Sequence, residues 1–271
     1  GLRGVPGIDL SGDAPPFIPD APMNLPRFLR IAEEMARLVA AVHERGITHR
    51  DIRPDNFRTR DGELVLTGFR HAVTFDAESA GFVPLDRLPS DVSFIAPEQT
   101  GRMNRPVDYR ADIYALGGTL YALATGRTPF PGTDRSALIS AHLATGPRPP
   151  DSLVPWMPPV VSRIVLRLLA KEPDDRYQSA SGLADDLGQL REAESRKQPL
   201  DSVSLRAADR VLLPRPPRRR HGRENALGEL MSAFEAVARG GRQCLFITGE
   251  AGVGKTSLVN ELQRPVVIRA G

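Results

Sequence analysis

Between Asn24 and Gly46 the apolar residues Phe28, Ile31, Ala32, Met35, Val39 and Val42 recur at the spacing of one helix face. A capping asparagine precedes them, Pro26 falls in the first turn, and a glycine closes the run, so a long amphipathic helix is expected. Directly afterwards, residues 57–60 and 63–66 flank the pair Asp61-Gly62, which tolerates the positive φ values of a type I′ turn and predicts a hairpin. Residues 67–107 read as a long irregular stretch. Helical patterns return at 111–124, 135–144, 160–171 and 180–194, and six prolines from Pro147 to Pro159 exclude regular structure between the second and third of these.

The ends of the chain are different in kind. Residues 1–24 are rich in Gly and Pro with few periodic apolar positions, and are expected to be loop or disordered lead-in. Periodicity is lost again over 194–221, where Pro214, Pro216 and Pro217 mix with Arg215, Arg218, Arg219 and Arg220 as in a solvated linker. Beyond it, 224–239 reads as a helix, 243–248 as a buried strand, 255–263 as a helix and 265–268 as the start of another strand, the opening of a βαβ unit. Four regions follow: a lead-in over 1–24, a domain over 25–193, a linker over 194–221 and an incomplete domain over 222–271.

Charge excludes some functions. With 36 Lys+Arg against 33 Asp+Glu the chain is nearly neutral, and no aromatic residues interleave with its Arg cluster, so nucleic acid is not an expected partner. No apolar run approaches the ~18 residues of a membrane span, so membrane insertion is not expected. The single cysteine, Cys244, is expected to be a small apolar filler, and lone-cysteine usage fits a reducing, cytoplasmic setting. The five histidines do not cluster at metal-ligand spacing, and Trp156 reads as a packing anchor.

Gly249-Glu250-Ala251-Gly252-Val253-Gly254-Lys255-Thr256 satisfies the P-loop pattern between an apolar strand and a helix start. In that context Gly249, Gly252 and Gly254 let backbone N–H groups converge on phosphate oxygens, Lys255 reaches the terminal phosphates, and Thr256 offers a hydroxyl to Mg2+. With Gly222-Arg223-Glu224, Leu227, Leu230 and Phe234 upstream, the segment resembles AAA-like signal-transduction ATPases, which implies ATP as ligand. No Walker B acid or arginine finger can be located, so hydrolysis by 222–271 is not expected.

His49-Arg50-Asp51, with Asn56 five residues after the Asp, lies between the long helix and the hairpin and fits the pattern H-R-D-x-x-x-x-N. Ala96-Pro97-Glu98, then Asp112 to Gly117, then Arg176 follow in order. Together they resemble the C-lobe of a serine/threonine protein kinase. The run from Ala96 to Arg105, with Leu66-Thr67-Gly68-Phe69 before it and the P-loop after it, narrows the resemblance to multidomain bacterial proteins that join a kinase domain, an AAA-like ATPase, a GAF domain and a sensor histidine kinase. The implied fold is a mainly α protein-kinase-like C-lobe with a small β-hairpin, followed by the first part of an α/β P-loop NTPase domain.

The resemblance implies that Asp51 is the catalytic residue, orienting a Ser/Thr hydroxyl and accepting its proton, and that Asn56 holds Mg2+. It implies that Arg50 would pair with a phosphorylated activation-segment residue, that Glu98 and Arg176 form a structural ion pair, and that Asp112 caps the backbone of the Asp51 loop. Thr74, Ser79, Ser90 and Ser93 fall in the activation-segment region without a mark that selects one. Three departures stand out. The metal-binding triplet is Gly68-Phe69-Arg70 and lacks its carboxylate, Arg53 replaces the Lys two residues after Asp51, and Asp91 stands where a Thr is expected. No Gly-rich loop, β3 Lys or αC Glu precedes residue 25, so an N-lobe is absent and negligible kinase activity is expected of the chain itself. Three readings stay open: a kinase module acting with ATP and Mg2+ on a protein substrate, a pseudokinase that docks partners and regulates the adjacent ATPase, and a gene fragment.

Overall fold

Asn24 is extended and its Oδ1 accepts the Arg27 N–H at 3.1 Å, which starts helix α1 (Leu25–His43) where the sequence places it. Each apolar residue of its stripe is at most 2% exposed. That face packs along α5 (Ala180–Ser195), and the pairing is reinforced at its edge by Glu33, which accepts from Arg37 at 2.8 Å and from Arg191 at 2.7 Å. In this computed structural model the described residues are 2, 5–17, 23–75, 89, 91–103, 105–205, 209, 228–229, 232–233, 236–237 and 244–248.

Among the described residues of the same part of the chain, the other α-helices are α2 (Arg110–Thr125), α3 (Arg135–Ala144) and α4 (Pro159–Leu168). Every residue of α2 from Ala111 to Tyr121 is buried, as α1 and α4 both pack against it. Helix α4 ends at Leu168 rather than near Lys171. Lys171 is drawn into a tertiary contact instead, its ammonium donating to the Ala141 carbonyl at 3.2 Å and lying 4.5 Å from the Phe130 ring centroid. Trp156 packs on Phe28 with centroids 5.6 Å apart, as an anchor should.

Among the described residues this part also carries two small antiparallel ladders. Strand β1 (Ile47–Thr48) pairs with β4 (Val73–Thr74), and β2 (Phe57–Arg60) pairs with β3 (Glu63–Leu66) in a register that sets Phe57 opposite Leu66. The β2–β3 turn has φ of 52° at Asp61 and 84° at Gly62, the conformation that selects an Asp-Gly pair. The β1–β4 ladder lies partly in the stretch expected to be irregular, and two residues per strand are too few to show a period.

The lead-in is an ordered loop at residues 5–17 rather than a disordered one. It lines both edges of the hairpin: Leu66 N–H donates to the Gly7 carbonyl at 2.8 Å and Asp9 N–H to Leu66 at 2.9 Å, while Thr59 N–H donates to Pro15 at 3.0 Å and Phe17 N–H to Phe57 at 3.2 Å. Asp9 is buried beneath this strap, accepting from Ser11 and from Arg60 at 3.0 Å, which together hold its carboxyl below the usual value against the opposing effect of burial.

The chain divides into two compact units, Gly1–Leu212 and Leu213–Gly271, so the first unit runs past α5 into the segment expected to be linker. In the second unit residues 228–229, 232–233 and 236–237 are helical, as expected for 224–239. Residues 244–248 differ from expectation: they form no ladder, Phe246 is 86% exposed and Cys244 is exposed. A strand exists only through pairing with a neighbour, and no described residue pairs here. Cys244 is therefore not a core filler. The expected helix at 255–263 and strand at 265–268 lie outside the described residues. Among the described residues no helix is long and apolar enough to cross a membrane.

Candidate functional site

The loop from His49 to Asn56 is built around one buried carboxylate. Asp112, near the start of α2 and inaccessible to solvent, accepts the N–H groups of His49 and Arg50 at 2.7 Å each and the His43 Nε2–H at 3.0 Å. Two backbone donors that would otherwise be orphaned are thereby satisfied, and the loop is fixed to the central helix. The anchorage supports a strained residue: Arg50 has φ of 65°, a region that costs a non-glycine residue about 1–2 kcal/mol.

His49 is a structural ring. Its Nδ1 accepts the Asp51 N–H at 3.2 Å, which places the proton on Nε2, and that proton is donated to the Thr67 carbonyl at 2.8 Å. Complete burial lowers its pKa, so the ring is neutral. Phe69 packs edge-on against it with centroids 4.6 Å apart, which joins the loop to the Gly68-Phe69-Arg70 triplet.

Asp51 lies at the end of this support with its side chain 14% exposed. Burial pushes its carboxyl above the usual range, and Arg53 and the Asn56 amide only partly oppose that. Asn56 uses its amide Nδ2 twice, donating to the Asp51 carbonyl at 2.7 Å and to the Asp51 carboxylate at 3.2 Å. Arg53 lies between two acids, its Nε 3.8 Å from Asp51 and its Nη1 3.9 Å from Asp91. The Lys and Thr replacements noted in the sequence are thus spatially one feature, a guanidinium between two carboxylates.

Gly68 has φ of 84°, and a β-carbon there would overlap the Asn56 side-chain amide, coming 2.7 Å from Nδ2. The room a second carboxylate would need is occupied by Asn56. Among the described residues no group of three His, Cys, Asp or Glu side chains could hold a metal ion. Beside Gly68 the loop offers the Asn56 amide oxygen and the Asp51 carboxylate, and Gly68 adds no second carboxylate, which does not match the oxygen-rich, carboxylate-bearing set that holds paired Mg2+ ions in kinases.

The support behind the loop is an ion pair. Arg176, fully buried, donates to both oxygens of Glu98 at 2.6 and 2.8 Å, and its other N–H groups reach the carbonyls of Ala170 at 2.8 Å, Arg110 at 3.0 Å and Lys171 at 2.9 Å. All five guanidinium donors are satisfied. Gln99, beside Glu98, went unnoticed in the sequence: its Oε1 accepts the Ala96 N–H at 2.9 Å and its Nε2 donates to the Arg50 carbonyl at 3.1 Å, tying the Ala-Pro-Glu segment to the strained residue. A Gln two residues after a proline carries no periodic signal by which to find it.

Of the expected site residues, Asp51 and Asn56 are brought together. Gly249, Gly252, Gly254, Lys255 and Thr256 lie outside the described residues, as do Ser79 and Ser90. Thr74 and Ser93 are described, and Ser93 N–H donates to Asp91 at 2.9 Å.

Comparison with known proteins agrees with this geometry. Residues 21–187 match the protein kinase domain family, and residues 221–270 match the AAA ATPase domain family. The chain is 34% identical to the serine/threonine-protein kinase PknH of Mycobacterium tuberculosis, over 80% of this chain and 33% of that protein. It is 35% identical to the probable serine/threonine-protein kinase PknB of Corynebacterium glutamicum, over 55% of this chain and 24% of that protein. It is 28% identical to the hybrid signal transduction histidine kinase G of Dictyostelium discoideum, over 89% of this chain and 10% of that protein. The chain thus spans between a tenth and a third of the length of these relatives. A serine/threonine protein kinase-like domain followed by an AAA ATPase domain is an arrangement of signal-transduction proteins. Because the matched residues contain the whole Asp112-anchored loop and the Glu98–Arg176 pair, the chain belongs to the protein kinase family.

Proposed function

We propose that this chain is the kinase-like part of a signal-transduction protein that transfers the γ-phosphoryl group of ATP, slowly, to a serine or threonine hydroxyl of a protein substrate. The observation that carries the reading is the Asp51 carboxylate, held by Asn56 on a loop fixed to α2 through Asp112. Asp51 orients the hydroxyl; as its oxygen bonds to the γ-phosphorus, the bond to the bridging oxygen of ADP breaks and the hydroxyl proton passes to Asp51. A carboxyl pushed upward by burial is a better proton acceptor than an ordinary one. Arg53 supplies a fixed positive charge beside it.

Slowness follows from Gly68. If the missing carboxylate is worth one preorganised charge-stabilising group, about 3 kcal/mol, the rate falls by roughly 10². The overlap between a Gly68 β-carbon and Asn56 also favours a second reading, a pseudokinase that docks partners and regulates the neighbouring ATPase. For the P-loop, we propose that Gly249, Gly252, Gly254 and Lys255 hold the phosphates of ATP and that Thr256 faces Mg2+; the match over 221–270 supports this. ATP as co-substrate and a single cysteine favour action in the cytoplasm. Mass spectrometry of the full-length protein after incubation with γ-labelled ATP tests the reading. Label on serine or threonine supports phosphotransfer; none, with signalling output intact after Asp51→Asn, leaves the docking reading.

A further inference from the structure

The family match stops at residue 187, yet the first compact unit continues to Leu212. Within that continuation, Asp209 makes a contact at the start of α5. Asp209 Oδ1 accepts the N–H groups of Gln178 at 2.8 Å and Ser179 at 2.9 Å, and lies 3.3 Å from the Ser179 hydroxyl. Ser179 is itself the cap of α5, its Oγ accepting the Gly182 N–H at 3.0 Å, so the hydroxyl proton is left to point at Asp209. A carboxylate is the group this position favours, because α5 presents the positive end of its dipole there. A second observation is independent of charge: a β-carbon on Gly182 would come 2.6 Å from the Asp209 Cα, so the Asp209 backbone lies against the helix where only glycine leaves room.

We propose that the edge formed by Gln178, Ser179 and Gly182 is a docking surface for the segment that connects the two domains, and that Asp209 is its anchor. The seat is stiff. Gln178 donates its amide to the carbonyls of Pro173 at 3.0 Å and Arg176 at 2.9 Å, accepts from Arg110 at 3.1 Å, and its carbonyl accepts the Tyr109 hydroxyl at 2.9 Å. The anchor therefore grips the loop whose Arg176 holds Glu98, two residues from it in sequence. Asp209 is thereby joined, through Gln178, to the loop that positions the Ala-Pro-Glu turn.

Hydrogen–deuterium exchange on the full chain tests this. In Asp209→Ala the amides of Gln178 and Ser179 lose their acceptor and are expected to exchange roughly tenfold faster relative to α1 amides such as Leu29. Gly182→Ala, which leaves the carboxylate in place but fills its approach, is expected to accelerate the same two amides, although alanine favours the helix itself. Unchanged relative exchange at Gln178 and Ser179 in Asp209→Ala, or protection retained in Gly182→Ala, overturns the proposal. So does an acceleration shared equally by α1.

Discussion

Replacing Arg176 by methionine isolates the energetics on which the Asp51 loop rests. Methionine keeps much of the volume and removes the charge, leaving the Glu98 carboxylate 1% exposed and without either of the donors now 2.6 and 2.8 Å away. Breaking a buried pair from one side costs about 3–5 kcal/mol. The reverse change is milder: Glu98→Gln still offers an oxygen to one guanidinium N–H, and the carbonyls of Ala170, Arg110 and Lys171 continue to satisfy Arg176, so about 1–3 kcal/mol is expected. Urea unfolding followed by fluorescence measures both cleanly, because the single tryptophan, Trp156, packs on Phe28 and reports the kinase-like unit rather than the second one. At about 2–4 °C per kcal/mol, Arg176→Met should also lower Tm by roughly 6–20 °C. A loss below about 1 kcal/mol, or Glu98→Gln proving the more damaging of the two, would refute the view that this pair carries the loop's support.

Restoring the metal-triplet acid by Gly68→Asp should not restore a fast kinase. At φ of 84° and against the Asn56 amide, the new side chain should destabilise the unit by about 1–3 kcal/mol, and a gain in labelled phosphate at unchanged stability would contradict this. His142 supplies a pH test. Burial, with a smaller contribution from Lys171, lowers its pKa to about 4, and its Nδ1 lies 2.9 Å from the Tyr114 hydroxyl. The unfolded chain, titrating near 6.5, then binds more protons than the folded one, so stability should decline as pH falls from about 6.5 to about 4. His142→Gln keeps an acceptor for Tyr114 but cannot titrate, and should flatten that decline; an unaltered slope in urea midpoints against pH would count against the assignment.

What the sequence made legible was whatever has a period or a local chemical signature. Helix α1 was readable because its stripe and Asn24 cap are both local, and the β2–β3 turn because Asp61-Gly62 meets a backbone requirement. The strap at residues 5–17 was not, since its bonds to the hairpin run between backbone groups and leave side-chain pattern free. The β1–β4 ladder was too short to repeat. At the site, Asp51, Asn56, Glu98 and Arg176 were legible by motif spacing. Gln99, the Arg53–Asp91 juxtaposition and the obstruction between Gly68 and Asn56 were not, because each depends on segments that only tertiary packing brings together. Residues 244–248, expected within a buried strand, form no ladder among the described residues: an apolar run states that a strand is suitable, but the ladder requires a partner.

On the proposed function, Asp51 as this loop holds it accepts the proton in a slow phosphoryl transfer. The direct measurement is the rate of γ-phosphate incorporation by the full-length protein with Asp51 and with Asp51→Asn, at matched folding. Loss of a positioned base predicts a fall of about 10² to 10⁴, whereas equal rates in the two proteins, or incorporation that survives the substitution on the same serine or threonine, would contradict the account.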